Sequence, residues 1–159
     1  MAKVIQKSDG KGSLKNIQDL VNKNQEIINN LLKSNINEFA NEHISWCSPI
    51  INDGFAEYRD KDFLSILGLD PNEIKLYNFW PSRGPQWDAL AKTDRGQIIL
   101  VEAKANIPEI VSPGTKAGEK SKLLIDKSLK ETKAFLGIKN DIDWSGKYYQ
   151  YTNRLAHLY

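Results

Sequence analysis

"WDALAKTDRGQIILVEAKAN", residues 87–106, decides how this chain folds. Its centre, Ile98 to Val101, is a run of aliphatic residues bounded by polar ones, the length of a buried strand rather than of a helix. Asp94-Arg95-Gly96 just before it is a turn signal, because glycine takes the positive φ that a tight loop needs. With those three residues as the loop, Thr93 faces Gln97, and continuing the pairing sets Asp88 opposite Glu102. Asp88, Leu90, Ile98, Leu100, Glu102 and Lys104 then share one face of a hairpin. A two-residue loop would shift the pairing by one position without separating the two ends.

Two like charges opposed across a strand pair destabilise it, and weak screening beside a buried sheet enlarges the cost. Something cationic has to offset the repulsion. One candidate is Lys104, two residues beyond Glu102 and on the same face. The other is a divalent cation, since Mg²⁺ is commonly held by one or two carboxylates together with waters and phosphate oxygens. A structural ion cluster and a metal site are therefore both open at this strand end.

Around the hairpin the chain alternates between helical and extended patterns. Residues 1–12 are polar and glycine-containing, and read as a loose tail. Ser13 reads as an N-cap for an amphipathic helix with Leu14, Ile17, Val21, Ile28 and Leu31 on one side and Asn24 interrupting the stripe. That stripe fits a helix laid on the domain's own core, with a homodimer seam through the N-terminal helix as the alternative. A second helix is expected from an Asp53 cap to Gly68 and Pro71, and a short strand in "KLYNFWP". After the hairpin come a Pro/Gly loop through "SPGTKAG", a third helix from about Glu119 to Leu136, and a last helical segment, "YYQYTNRLAHLY". The expected class is α/β (mixed α+β): a central mixed sheet with the hairpin, flanked by helices, and an extra N-terminal amphipathic helix. The expected division is a tail over 1–12, a helical extension over 13–52 and a core over 53–159.

Composition excludes several classes. At 159 residues, with 40% hydrophobic and 26% charged residues, the chain suits one globular domain. No apolar run approaches the roughly 18 residues of a membrane span, and no signal-peptide core opens the chain. A single cysteine, Cys47, rules out an internal disulfide; with only His43 and His157 beside it, a Cys/His metal centre is a poor fit. This favours an intracellular, cytoplasmic compartment. The net charge is only +2, but Val111 to Asn140 carries seven lysines against three acids, either a mild footprint for a phosphate backbone or a solvated helix face. "SPGTKAG" lacks the spacing of a P-loop and reads as a mobile loop beside the site. The tryptophans and tyrosines read as core before they read as base-stacking platforms.

Pro85-x-x-Asp88, a hairpin of this length, and Glu102-x-Lys104 closing an apolar strand resemble the PD-(D/E)XK nuclease superfamily, whose core is restriction-endonuclease-like. The resemblance covers roughly Asp53 to Tyr159, and "PQWD" replaces a bare Pro-Asp. It implies that Asp88, Glu102 and the Ala103 carbonyl bind Mg²⁺ or Mn²⁺, and that Lys104 orients or deprotonates the attacking water. It implies a further carboxylate from the preceding helix, for which Glu57 stands ahead of Asp60 and Asp62, with a solvated helix acid as the alternative. Gln150 resembles the glutamine of a helix motif in RecB-like members. Gln150, Asn153, Arg154 and His157 fall on one helix face, with Arg154 and Asn153, and Lys116 and Lys120 before them, as nucleic-acid contacts. The expected function is hydrolysis of phosphodiester bonds, in DNA and by endonuclease action, with a catalytically silent nucleic-acid-binding or scaffold domain as the alternative. The superfamily core continues with a strand after its last helix, so a chain stopping at Tyr159 is expected to be a fragment or a minimal version.

Overall fold

The computed structural model describes residues 2–159. In chain order they form β1 (Lys3–Val4), α1 (Gly12–Lys23), α2 (Gln25–Asn35), β2 (Ile44–Ser48), β3 (Glu57–Tyr58), α3 (Asp60–Leu67), α4 (Pro71–Ile74), α5 (Leu76–Phe79), β4 (Ala89–Thr93), β5 (Ile98–Val101), α6 (Glu119–Phe135) and α7 (Tyr149–Ala156). The class is mixed α+β, with two small sheets, β1-β3 and β2-β4-β5. Every ladder among the described residues is antiparallel, so the expected mixed sheet is corrected to antiparallel ones. No helix among the described residues is long and apolar enough to cross a membrane.

Contacts divide the chain into two units, the first running to Pro71 and resuming at Gln86–Ala105. Its centre is the β4/β5 hairpin, with Ala89, Leu90 and Ala91 wholly buried. Ile17 and Val21 of α1 and Ile28 of α2 pack with Ile44, Trp46, Ala89, Ala91 and Ile99 in one apolar cluster. At about 1.5–3 kcal/mol for each large aliphatic side chain buried, that cluster accounts for Ile17, Val21 and Ile28 of the apolar stripe, whereas Leu31 is exposed. The expected single helix is two, and Asn24, the polar interruption, is where it breaks: its N–H turns back to the Asp19 carbonyl at 3.1 Å. Helix α1 starts at Gly12, so Ser13 lies inside it rather than capping it.

Three other expectations about local structure fail. The stretch from Asp53 to Leu67 is not one helix: Phe55 and Asp60 both take positive φ, and the chain passes through β3 before α3 begins. The third strand of the main sheet is "ISWCS" at 44–48, which buries alternate residues, and not "KLYNFWP", whose Leu76–Phe79 is helical. The residues expected to be a loose tail include β1, paired with β3 through Lys3↔Tyr58 and Val4↔Glu57.

The second unit comprises Asn72–Pro85 and Asn106–Tyr159. Helix α6 matches its expected span, and its buried Ile125, Leu129 and Thr132 form the inner face. The Ser128 hydroxyl meets the Phe79 carbonyl, and Phe79 and Trp80 stack with His157 of the last turn. Loop 112–118 lies against the segment around Ser145. Thr115 N–H donates to Ser145 O at 2.9 Å, and Gly114 lies so close that an added Cβ would stand 2.9 Å from that same carbonyl.

Candidate functional site

The hairpin is built as its turn chemistry requires. Thr93 N–H donates to Gln97 O at 2.9 Å, Gly96 N–H returns to Thr93 O at 2.9 Å, and Gly96 has φ +80. Lys92↔Ile98, Ala91↔Ile99, Leu90↔Leu100 and Ala89↔Val101 follow in one register. At the far end the ladder changes. Asp88 N–H also reaches Val101 O, at 3.1 Å, so Asp88 and Ala89 both address Val101 in the manner of a β-bulge.

That irregularity re-aims the first acid. The expected Asp88–Glu102 opposition is not among the register pairs; instead Asp88 Oδ2 accepts a hydrogen bond from Ala103 N–H at 2.7 Å. Glu102 is paired through Oε1 with the Lys104 amine, and the two side chains are 16% and 25% exposed, enough to reach a ligand while partly desolvated. Both acids therefore have protein partners, and the repulsion deduced from an ideal ladder is relieved within the strand end itself.

Glu57 lies on β3, not on a helix, and is only 5% exposed. Its Oε2 accepts from Gln6 Nε2 at 2.8 Å. Its neighbour Tyr58 forms an isolated bridge to Trp87, whose N–H donates to Tyr58 O at 3.0 Å. Glu57 is thus one residue from the bridge on one segment, and Asp88 one residue from it on the other. Phe63 of α3 meets the buried Trp87 edge-to-face at 6.0 Å and fixes this junction from the side. Of the other two acids considered, Asp60 is buried at the start of α3 beside Arg59, and Asp62 is half-buried in its first turn.

Asp53, expected as a helix cap, is instead clasped by the Lys3 amine and the Tyr58 hydroxyl. The Lys3 hydrogen bond, and then that of Tyr58, hold its carboxyl below the usual range. Burial, then the Asp53 hydrogen bond, push the Tyr58 hydroxyl up. His43 and Cys47 form no nucleophilic pair: His43 contacts Ser45 and Asp94, and burial pushes the Cys47 thiol up, against reactivity.

The remaining candidates belong to the second unit. Gln150 N–H donates to the Ser112 hydroxyl at 2.9 Å, Arg154 Nη1 donates to Asn153 Oδ1 at 2.8 Å, and Asn153 is buried. The polar stripe of α7 is thus its inner side, and Tyr151 is on the exposed one. Burial pushes the Tyr149 hydroxyl up, with Thr115 and Asn153 bonds opposing. Lys116 and Lys120 are exposed, as a phosphate contact requires.

The donors at the end of the hairpin, two carboxylates and the Ala103 carbonyl, are hard oxygens of the kind Mg²⁺ takes, and Mg²⁺ completes its shell with water. In kind the residues fit such an ion. Among the described residues no group of three or more His, Cys, Asp and Glu side chains is assembled to hold one, so Glu57 does not join Asp88 and Glu102 in a ready-made cage. Sequence reasoning missed Gln6 and Lys3 altogether, because nothing in a polar N-terminus announces a pairing with residues 53–58. Compared with known proteins, the chain matches no family model, no curated protein and no solved structure.

Proposed function

We propose that the protein is a metal-dependent nuclease of the PD-(D/E)XK kind, on a restriction-endonuclease-like core, that cuts DNA internally. The observation that carries the reading is that one end of the β4/β5 hairpin holds both the Asp88 carboxylate, bonded to Ala103 N–H, and the Glu102–Lys104 pair. Asp88, Glu102 and the Ala103 carbonyl would hold Mg²⁺ or Mn²⁺, which supplies a water of lowered pKa and offsets charge on the scissile phosphate. Lys104, tethered to Glu102, would orient a water or steady an anionic oxygen. The exposed lysines of 116–139 supply positive charge for a phosphate backbone. An intracellular setting agrees with a DNA substrate. The test is incubation with single- and double-stranded DNA and RNA in Mg²⁺ or Mn²⁺: cleavage abolished by chelator and by Glu102→Ala supports the reading, and chelator-resistant cleavage or none overturns it.

One observation favours a second reading. Glu102 is satisfied by Lys104, and Asp88 by Ala103 N–H, without any ion. A nuclease-like scaffold that binds nucleic acid without cutting it would keep this cluster for stability; it predicts no turnover and a large loss of stability in Glu102→Ala.

A further inference from the structure

We propose that Gln6 is a positioning residue for Glu57, which makes the segment from Lys3 to Gln6 part of the metal site rather than a tail. The inference rests on the metal-dependent reading above. Glu57 is a carboxylate nine-tenths buried, and burial of that charge is tolerated only where hydrogen bonds replace water. Gln6 Nε2 supplies one to Oε2 at 2.8 Å. An amide donor fixes the orientation of a carboxylate and leaves its charge intact, whereas an amine or guanidinium in that place would compete with a cation for it.

Gln6 is itself held from several sides. Its N–H donates to Gly54 O at 3.2 Å, and Arg59 N–H donates to Ala2 O at 3.0 Å, with the β1/β3 pairs between them. Gly54 has φ +64, and a Cβ there would stand 3.2 Å from Ile5 Cγ2, so the segment lies close on the loop that leads into β3. The Lys3 amine anchors the near end on Asp53. The bridge between Tyr58 and Trp87 then carries this arrangement to the residue next to Asp88. Strap, Glu57 and Asp88 form one connected series within the first unit, with Glu57 and Asp88 each one residue from the Tyr58–Trp87 bridge.

The test is Mn²⁺ affinity of the full chain, read by calorimetry and by electron paramagnetic resonance of free Mn²⁺, with circular dichroism and melting curves to confirm folding. Gln6→Met keeps length and removes the donor; Gln6→Asn, which retracts the amide, serves if the first variant folds poorly. Loss of a residue that orients a metal ligand weakens binding roughly tenfold or more, and that is expected of Gln6→Met and of Glu57→Gln. The double variant should bind no more weakly than Glu57→Gln alone, because Gln6 acts only through Glu57. Wild-type affinity in Gln6→Met, or full additivity with Glu57→Gln, overturns the assignment. If Asp88→Asn weakens binding while Glu57→Gln does not, Glu57 lies outside the site and the inference fails alone. If the unaltered chain takes up no Mn²⁺, the metal-dependent reading has failed and takes this one with it.

Discussion

Asp88 and Ala103 are joined by a 2.7 Å hydrogen bond from the Ala103 backbone N–H to the Asp88 carboxylate. The bond crosses from the start of one hairpin strand to the end of the other. It orients Asp88 and at the same time fixes the Glu102–Ala103 peptide, next to the one that carries the Ala103 carbonyl. Asp88→Ala should cost about 1–3 kcal/mol through an N–H deprived of its acceptor, and Asp88→Asn, whose amide oxygen still accepts, should cost clearly less. Urea unfolding of both variants checks this. Under the nuclease reading both should be inactive, since neither carries the charge.

The turn that sets this geometry depends on Gly96, at φ +80. Nothing lies near a Cβ added there, so Gly96→Ala isolates the backbone cost of a left-handed residue, about 1–2 kcal/mol. Equilibrium unfolding measures it, and an unchanged midpoint would mean that the turn is not the one described.

Helices α1 and α2 bury Ile17, Val21 and Ile28 of their apolar stripe in their own unit, while Leu31 is exposed. Ile17, 3% exposed, packs in the cluster with β2, β4 and β5. Ile17→Ala should therefore destabilise by about 2–5 kcal/mol, with no change in sedimentation behaviour. A change of oligomeric state without a comparable loss of stability would restore the dimer-seam alternative.

The Lys3–Asp53–Tyr58 clasp should show itself in pH dependence. The folded-state carboxyl of Asp53 sits below its ordinary value of 3.8, chiefly through the Lys3 hydrogen bond. A depressed carboxyl contributes stability above its unfolded pKa and loses it as pH falls through the folded one. Lys3→Met should lower the melting temperature slightly at neutral pH, because both side chains are about a third exposed and solvent screens the pair. The difference from wild type should shrink toward zero as pH falls below the depressed Asp53 carboxyl. A gap that persists there would trace the effect to packing of the lysine stem.

Much of this site was legible because turn chemistry is local. Asp94-Arg95-Gly96 determines the loop, the loop determines the register, and the register brings residues 88 and 102–104 to one end. What the ideal ladder could not anticipate was that Asp88 N–H reaches Val101 O and that the Asp88 carboxylate takes a bond from Ala103 N–H. The errors elsewhere have similar physical causes. Phe55, Tyr58, Phe63 and Leu67 fall at nearly helical intervals, but positive φ at Phe55 and Asp60 breaks the segment, and neither residue type advertises it. "KLYNFWP" is rich in aromatics that favour strands, yet Leu76 and Trp80 are buried by a helical turn, as tertiary packing overrides propensity in short segments. "ISWCS" does alternate, with Ile44, Trp46 and Ser48 buried; a serine on the inner face disguised it.

The most direct test of the central claim is cleavage of supercoiled plasmid DNA with Mg²⁺ or Mn²⁺ by the unaltered chain and by Lys104→Ala. Lys104 touches Glu102 without supplying a metal ligand, so its loss should remove strand cleavage while metal uptake and the melting temperature hold. Nicking by Lys104→Ala at the wild-type rate, or a wild-type protein that never cuts with either metal, would contradict the account.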